Sequence, residues 1–171
     1  YAWVGVSAQQ VGLYGMPMGR RGVPGGLPLL DADPHRYGDL VHPGEPGCFE
    51  IFSGAAEAVG PRRRGVDVDP MGELPVARVV AVGGSQSAMR LCAYANAVHG
   101  RHHVVDAYLL SVWEGRAPRL EDGPLSMYQR TAIRADLDVP ILVVNSEFEA
   151  TATSGLSFED HDRRRVWEVT G

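Results

Sequence analysis

Ser85 stands where a buried strand is predicted to turn sharply into a helix, in the segment VVAVGGSQSA at residues 79–88. A serine hydroxyl is a weak nucleophile at neutral pH, so a catalytic serine needs an exposed position with a base and N–H donors beside it. A tight strand-to-helix turn gives that exposure but crowds the residues two positions away, which must be small. Gly83 and Ser87 are both small, and G-x-S-x-S differs at one position from the G-x-S-x-G of nucleophile elbows.

The sequence on either side of Ser85 fits such a turn. Residues 79–82 are apolar, a run whose length suits a strand buried on both faces. After the turn, apolar residues recur at helical spacing, and Gly100 follows as a stop signal. A Gly-Ser cluster alone is more typical of a loop, but the strand and helix beside it favour a nucleophile elbow. The apolar helical positions are Ala88, Leu91, Cys92, Ala95 and Val98.

A carboxylate follows a second predicted strand. Residues 141–144 are apolar, and the sequence NSEFE follows at 145–149. In serine hydrolases built on a parallel α/β sheet, the triad runs along the chain as Ser, then Asp or Glu, then His. The acid accepts the imidazole Nδ1–H and stabilises the imidazolium. Glu147 and Glu149 both satisfy this order, and we favour Glu149, while the backbone N–H of Gln86 is expected to donate to the oxyanion.

Strands and helices alternate along the chain, which predicts an α/β fold with a mostly parallel sheet and ligands at the carboxyl ends of its strands. A stretch rich in Gly, Pro and Asp at residues 12–47 is expected to be a long loop with little regular structure. The run Arg62-Arg63-Arg64 is interpreted as a solvated turn. Strands are expected at residues 1–7, 79–82, 104–110, 141–144 and 165–171, and helices at 48–59, 88–98 and around 126–135.

Composition limits the classes of function. The 171 residues make one domain's worth of chain, with 44% hydrophobic and 22% charged residues, close to soluble-protein averages. A formal net charge of −5 argues mildly against nucleic-acid binding, and no apolar run approaches a membrane span. Cys48 and Cys92 fit no metal-binding spacing. We therefore expect no nucleic acid and no membrane span, and the serine chemistry predicted around Ser85 calls for a small-molecule partner and no cofactor.

Four segments resemble alpha/beta hydrolase domain-containing proteins. The elbow of that group usually reads G-E-S-Q-S-A, so Gly84 replaces a glutamate here while Ser85 keeps its place. The acid loop of the group tends to read E-T-D, and Glu149 occupies the position of the aspartate. The resemblance implies the α/β-hydrolase fold and a carboxylesterase-like serine hydrolase, with lactones, amides and thioesters open as substrates. The four segments are WVGVSAQ at 3–9, DPHRYG at 33–38 with HPG at 42–44, GGSQSA at 83–88, and VWEVTG at 166–171.

The resemblance also implies that parts of the site lie outside this sequence. Members of the group carry the catalytic histidine just after the strand that ends this chain, so it is expected a few residues beyond Gly171. His161 is not placed to replace it. The second oxyanion donor normally follows the third strand of the fold, which is expected before Tyr1. We expect one partial α/β-hydrolase domain over 1–171, of about five strands and inactive by itself.

Three other interpretations compete with the serine hydrolase. A dinucleotide-binding turn also joins a strand to a helix, and Asp106 lies where a ribose-binding carboxylate is expected, but Ser85 occupies the place of the second glycine of G-x-G-x-x-G. His99, His102, His103 and Asp106 offer ligands that suit zinc, although a solvated loop is the preferred interpretation. The third is a protein of the same fold that binds ligands without catalysis.

Overall fold

The computed structural model describes residues 1–15, 27–63, 68–120, 128–156 and 160–170. The chain divides into two compact units, Tyr1–Ala55 and Ala56–Gly171. The helices are α1 Gln10–Tyr14, α2 Leu29–Ala32, α3 Pro34–Tyr37, α4 Cys48–Val59, α5 Gln86–Ala97, α6 His99–His102 and α7 Glu147–Thr153, with a 3-10 turn at Glu45–Gly47. The strands are β1 Val80–Gly84, β2 Ala107–Ser111, β3 Arg116–Pro118, β4 Tyr128–Arg130, β5 Ile141–Ser146 and β6 Arg164–Val169.

The first unit is organised around a buried histidine between its short helices. His42 is 8% exposed, and its Nε2–H donates to the Ala8 carbonyl at 2.9 Å. Its backbone N–H donates to the Tyr14 hydroxyl at 2.9 Å. The Gln10 N–H, at the start of α1, donates to the Glu45 carboxylate at 3.1 Å. Because buried polar groups need partners, these bonds fix a segment that has little regular structure.

The strand expected at residues 1–7 is wrong. These residues lie outside the described helices and strands, and the side chains of Tyr1 and Trp3 are exposed to solvent. A strand is stabilised by backbone hydrogen bonds to a neighbour, and no described strand pairs with this segment. Alternating Trp, Val and Val side chains therefore do not produce a strand here.

The second unit is built on a four-stranded parallel sheet in the order β1–β2–β5–β6. Successive side chains along a strand point to opposite faces, so every second residue shares a face. Helix α5 packs against β1 and β2. The alternate positions that are buried form the core of this unit and are Ala81, Tyr108, Leu110, Ile141 and Val143.

All four strands run in one direction, which gives the sheet two distinct ends. We call the end formed by Gly84, Ser111, Ser146 and Val169 the carboxyl edge, and the opposite end, where these strands begin, the amino edge. Ligands of parallel α/β sheets bind beside the carboxyl ends of the strands. Ser85 and Glu149 both follow strands at the carboxyl edge, as the sequence predicts.

The other set of alternate side chains on the sheet is apolar and remains exposed at both of its outer strands. Val80 and Val82 of β1 are 55% and 42% exposed, and Trp167 and Val169 of β6 are 59% and 55% exposed. The expectation that residues 79–82 form a strand buried on both faces is therefore wrong: β1 is apolar on both faces, but only the face that carries Ala81 is buried among the described residues.

A small antiparallel pair, β3 with β4, lies in the chain between β2 and β5 and contacts α5. The helix expected around residues 126–135 is wrong, because residues 128–130 pair with Arg116–Pro118 and residues 131–135 are not helical. Residues 121–127 lie outside the described part of the chain. The pairing adds backbone hydrogen bonds that the local apolar spacing did not indicate.

The remaining predicted elements are present with small shifts. The helix at 48–59 is confirmed as α4, and the strand at 104–110 begins only at Ala107. Val105 precedes the first residue of β2 that pairs with a neighbouring strand, but its side chain is 3% exposed and belongs to the core. The main sheet has four described strands where about five were expected, because the segment at 1–7 is not one of them.

The interpretation of the arginine run at 62–64 as a solvated turn is wrong for Arg63. The Arg63 guanidinium donates to the Asp69 carboxylate at 2.8 Å and to the Leu74 carbonyl at 3.1 Å, and its side chain is only 16% exposed. The hydrogen bond from Arg63 lowers the pKa of Asp69. Arg63 therefore holds the turn after α4 together, while Arg64 lies outside the described residues.

Candidate active site

Ser85 adopts a backbone conformation that L-amino acids rarely take. Its φ is 51° and its ψ is −118°, at the junction between β1 and α5. Two hydrogen bonds hold it there: its N–H donates to the Ser111 carbonyl at 3.0 Å, and its carbonyl accepts from the Met89 N–H at 3.1 Å. Such a conformation costs about 1–3 kcal/mol and is typically maintained at functional sites. The turn leaves Ser85 exposed.

The glycines before Ser85 let the strand and the helix approach each other closely. A Cβ built on Gly83 would lie 2.8 Å from the Ser87 carbonyl carbon and 2.9 Å from Leu91 Cδ1. Only glycine fits that position without a backbone shift. At Gly84 a Cβ would lie 3.2 Å from Ser111 Oγ, so a larger residue there requires that hydroxyl to move.

Gln86 is the first residue of α5 and follows Ser85 directly. The first N–H groups of a helix have no acceptor within the helix and carry the positive end of its dipole, which suits an anion. The Gln86 side chain points toward β4, where its Nε2 donates to the Tyr128 hydroxyl at 3.2 Å. The β3–β4 pair therefore contacts the residue whose N–H is predicted to hold the oxyanion.

Glu149 lies buried at the carboxyl edge, in the first turn of α7. Its Oε2 accepts from the Ser146 hydroxyl at 2.6 Å and from the Ser146 N–H at 3.0 Å, which makes a capping box. The hydrogen bond from the hydroxyl holds the pKa of Glu149 below its ordinary value. Glu147, the other candidate acid, is exposed. Glu149 is thus an ionised, fixed carboxylate, while Glu147 is a surface group.

The four histidines of the second unit lie at the amino edge. His99, His102 and His103 precede β2, and His161 precedes β6, where its backbone forms a bridge with Arg164. The two others of the six histidines belong to the first unit. Parallel strands separate the two edges by the length of the sheet, so none of these four lies beside Ser85.

Asp106 has a structural position at the amino edge. Its carboxylate accepts from the Val79 N–H at 2.7 Å, and its own N–H donates to the Val79 carbonyl at 2.8 Å. These bonds tie the starts of β1 and β2 together. A ribose-binding carboxylate is expected at the carboxyl end of a strand, so this position does not favour the dinucleotide interpretation.

The histidine group contains a ligand set that differs from the one expected from spacing. His99 and His103 lie with Asp138, and one potential ligand atom from each falls within 4.8 Å of the others. Asp106 and His102 are not part of this cluster within the described residues. Sequence reasoning missed Asp138 because it lies 39 positions from His99, and no local motif connects the two.

A family model described as an alpha/beta hydrolase domain matches residues 1–171. The chain belongs to this family. The parallel sheet, the turn at Ser85 and the helix that follows it are consistent with membership of the alpha/beta hydrolase family, and they confirm the fold expected from the sequence. Among curated proteins no match was found, and none was found among solved structures.

Family membership establishes the hydrolase fold of this chain. Within the described residues of this alpha/beta hydrolase domain, no helix is long and apolar enough to cross a membrane.

Proposed function

We propose that this domain is the core of a serine hydrolase that cleaves small acyl esters through a covalent acyl-enzyme. Ser85 is the nucleophile, the Gln86 N–H is one donor to the oxyanion, and Glu149 is the triad acid. The observation that carries the proposal is the φ of 51° at Ser85. No glycine occupies this turn, although glycine would adopt the conformation without steric strain, so the hydroxyl is the feature for which the strain is retained.

Glu149 meets the physical requirements for the acid. The backbone N–H and the hydroxyl of Ser146 both donate to Oε2 of this carboxylate, which leaves Oε1 for an imidazole N–H. The lowered pKa keeps the group ionised at neutral pH, the state that stabilises an imidazolium. The strand before it, β5, is separated from β1 only by β2.

The base is proposed to come from beyond Gly171. Strand β6 runs parallel to β5 and ends at Val169, at the carboxyl edge and next to the strand that carries Glu149. A histidine shortly after this point enters the edge where Ser85 and Glu149 lie. This placement follows the order Ser, acid, His along the chain.

The chemistry follows from these positions. The imidazole removes the Ser85 Oγ proton as Oγ bonds to the ester carbonyl carbon, and the Gln86 N–H stabilises the negative oxygen that forms. The imidazolium, held by Glu149, returns the proton to the leaving alkoxide as the C–O bond breaks. Water then attacks the acyl-enzyme with the imidazole as base, which releases the carboxylic acid and restores the serine.

A fluorophosphonate probe tests this proposal on the natural protein that contains the chain. The expected result is one covalent adduct at Ser85 and hydrolysis of short-chain p-nitrophenyl esters. Ser85→Ala is expected to lose both. The matched control is Ser87→Ala, an exposed serine in the first turn of the same helix, which is expected to keep labelling.

Two results would contradict the proposal. Labelling that persists in Ser85→Ala places the nucleophile elsewhere. A folded wild-type protein that takes up no probe and cleaves no ester favours the alternative, a domain of this fold that binds ligands without catalysis.

A further inference from the structure

A cluster of two histidines and one aspartate lies at the amino edge, away from Ser85. Asp138 Oδ1 lies 2.9 Å from His99 Nε2, and Asp138 Oδ2 lies 3.5 Å from His103 Nδ1. His99 and His103 come from the corner after α5, whereas Asp138 comes from the segment that leads into β5. The cluster therefore joins two parts of the chain that are distant in sequence.

His99 is the fixed member of this cluster. It is 2% exposed, and its Nδ1 lies 3.0 Å from the hydroxyl of Tyr108, which is also 2% exposed. This contact orients the ring so that Nε2 faces Asp138. A metal-binding histidine is commonly held in this way, with its second ring nitrogen hydrogen-bonded to a neighbouring group.

The other two members keep freedom to adjust. The side chains of His103 and Asp138 are 51% and 57% exposed. His103 itself sits in a left-handed conformation with φ 50° and ψ 37°, and its carbonyl accepts a hydrogen bond from the Arg62 guanidinium. The core therefore fixes the position of His99, whereas His103 and Asp138 lie at the surface and can adjust their side chains.

We propose that His99 Nε2, His103 Nδ1 and the Asp138 carboxylate bind a Zn²⁺ ion. Imidazole nitrogen and carboxylate oxygen are both zinc ligands, and three protein ligands leave a fourth position for water. Zinc bonds of about 2.0–2.1 Å place tetrahedral ligand atoms about 3.3 Å apart. The cluster's atoms lie within 4.8 Å of one another, so small rotations of the two exposed side chains bring them to that spacing.

Proton placement on His99 is compatible with this change. Without metal, Nε2–H donates to Asp138 and Nδ1 accepts from the Tyr108 hydroxyl. With zinc on Nε2, the ring proton moves to Nδ1 and donates to the same hydroxyl. A tyrosine hydroxyl acts as donor or acceptor, so Tyr108 serves both tautomers and the count of protons on the ring is unchanged. The ion replaces the hydrogen bond between His99 and Asp138.

The proposed zinc site is separate from the proposed catalytic residues. It lies at the amino edge, whereas the proposed nucleophile and acid lie at the carboxyl edge. Zinc there links the corner after α5 to the entry of β5, and it stabilises the native state by an amount that rises with the logarithm of the free zinc concentration once that concentration exceeds the Kd. This inference is independent of the proposed hydrolysis, because it depends on none of Ser85, Gln86 or Glu149.

The test is titration of the metal-free natural protein with ZnCl₂, followed by calorimetry and by thermal unfolding. One ion is expected to bind per chain and to raise the Tm. His103→Ala and Asp138→Asn are each expected to weaken binding at least ten-fold, since loss even of an indirect contact to a metal ligand costs 10–100-fold. Both residues are half-exposed, so these variants are expected to fold. Mg²⁺ is expected to give no Tm shift at the same concentration.

Two variants serve as controls for surface binding of zinc. Asp136→Asn lies in the same segment as Asp138 but pairs with Arg134, and His35→Ala removes an exposed histidine of the first unit. Both are expected to bind zinc as the wild type does. The proposal is overturned if the wild type binds no zinc at one ion per chain, or if His103→Ala and Asp138→Asn leave the affinity unchanged.

Discussion

The Gln86 side chain donates a hydrogen bond to the Tyr128 hydroxyl at 3.2 Å. This contact joins the first residue of the helix after the turn to β4, although the two residues are 42 positions apart. Gln86 supplies the N–H that is proposed to hold the oxyanion, so Tyr128 is in a position to fix that N–H indirectly.

Tyr128→Phe is expected to lower kcat for ester hydrolysis about three- to ten-fold with little change in KM. The reason is that a neutral hydrogen bond contributes about 0.5–1.5 kcal/mol, and here it acts on a group that contacts only the transition-state oxyanion. Steady-state kinetics on the natural protein measures the effect. Gln129→Ala, the next residue of β4, is the control and is expected to leave kcat within two-fold. A three- to ten-fold rise in KM with an unchanged kcat would assign Tyr128 to substrate binding instead.

Gly83→Ala is expected to destabilise the domain by about 1–3 kcal/mol, because the new methyl group overlaps the backbone of Ser87. Urea unfolding measures the loss. Gly54→Ala is the matched control: it lies within α4, where a Cβ meets nothing within 4 Å. Alanine there is expected to stabilise by up to about 1 kcal/mol through helix propensity. A neutral Gly83→Ala would mean that α5 does not pack on β1 as closely as the structure has it.

The turn at Ser85 was predictable because its requirements are local. Small residues two positions to either side, an apolar run before and helical spacing after it all fall between residues 79 and 98. The acid was predictable for a related reason, since β5 begins with a short apolar run and Glu149 lies in the first turn of the helix that follows this strand. The order along the chain fits Glu147 as well as Glu149, and the hydrogen bonds from Ser146 to the Glu149 carboxylate are the physical difference between the two.

Features that depend on distant partners were not predictable. Residues 1–7 alternate as a strand does but have no described neighbour, and residues 128–130 became a strand because Arg116–Pro118 pairs with them. The approach of Asp138 to His99 depends on the packing of two segments at the amino edge. In each case the local pattern specified a preference, and tertiary pairing decided the outcome.

Ser85→Gly is expected to stabilise the domain by about 1 kcal/mol relative to Ser85→Ala, because glycine adopts a φ of 51° freely whereas alanine keeps the strain. Relief of about 1–3 kcal/mol of strain is partly offset by about 0.5–1 kcal/mol of glycine chain entropy. Comparison of the two variants by urea unfolding removes any effect of the lost hydroxyl. Both are expected to lose fluorophosphonate labelling. If glycine is no more stable than alanine, the turn is not strained.

Glu149→Gln is expected to change how the stability of the domain depends on pH. Hydrogen bonds from Ser146 lower the pKa of Glu149 in the folded state, so its stabilising contribution is complete above the unfolded pKa, which is about 4.3 for glutamate. The contribution declines as the pH falls through the lower, folded pKa. The free-energy difference between wild type and Glu149→Gln is therefore expected to be largest at pH 6–7 and to shrink below about pH 4. Urea unfolding across this range measures it. Glu147→Gln, an exposed neighbour in the same turn, is the control and is expected to follow the wild-type profile. A difference that is the same at pH 7 and pH 3.5 would show that the carboxylate charge does not contribute to the cap.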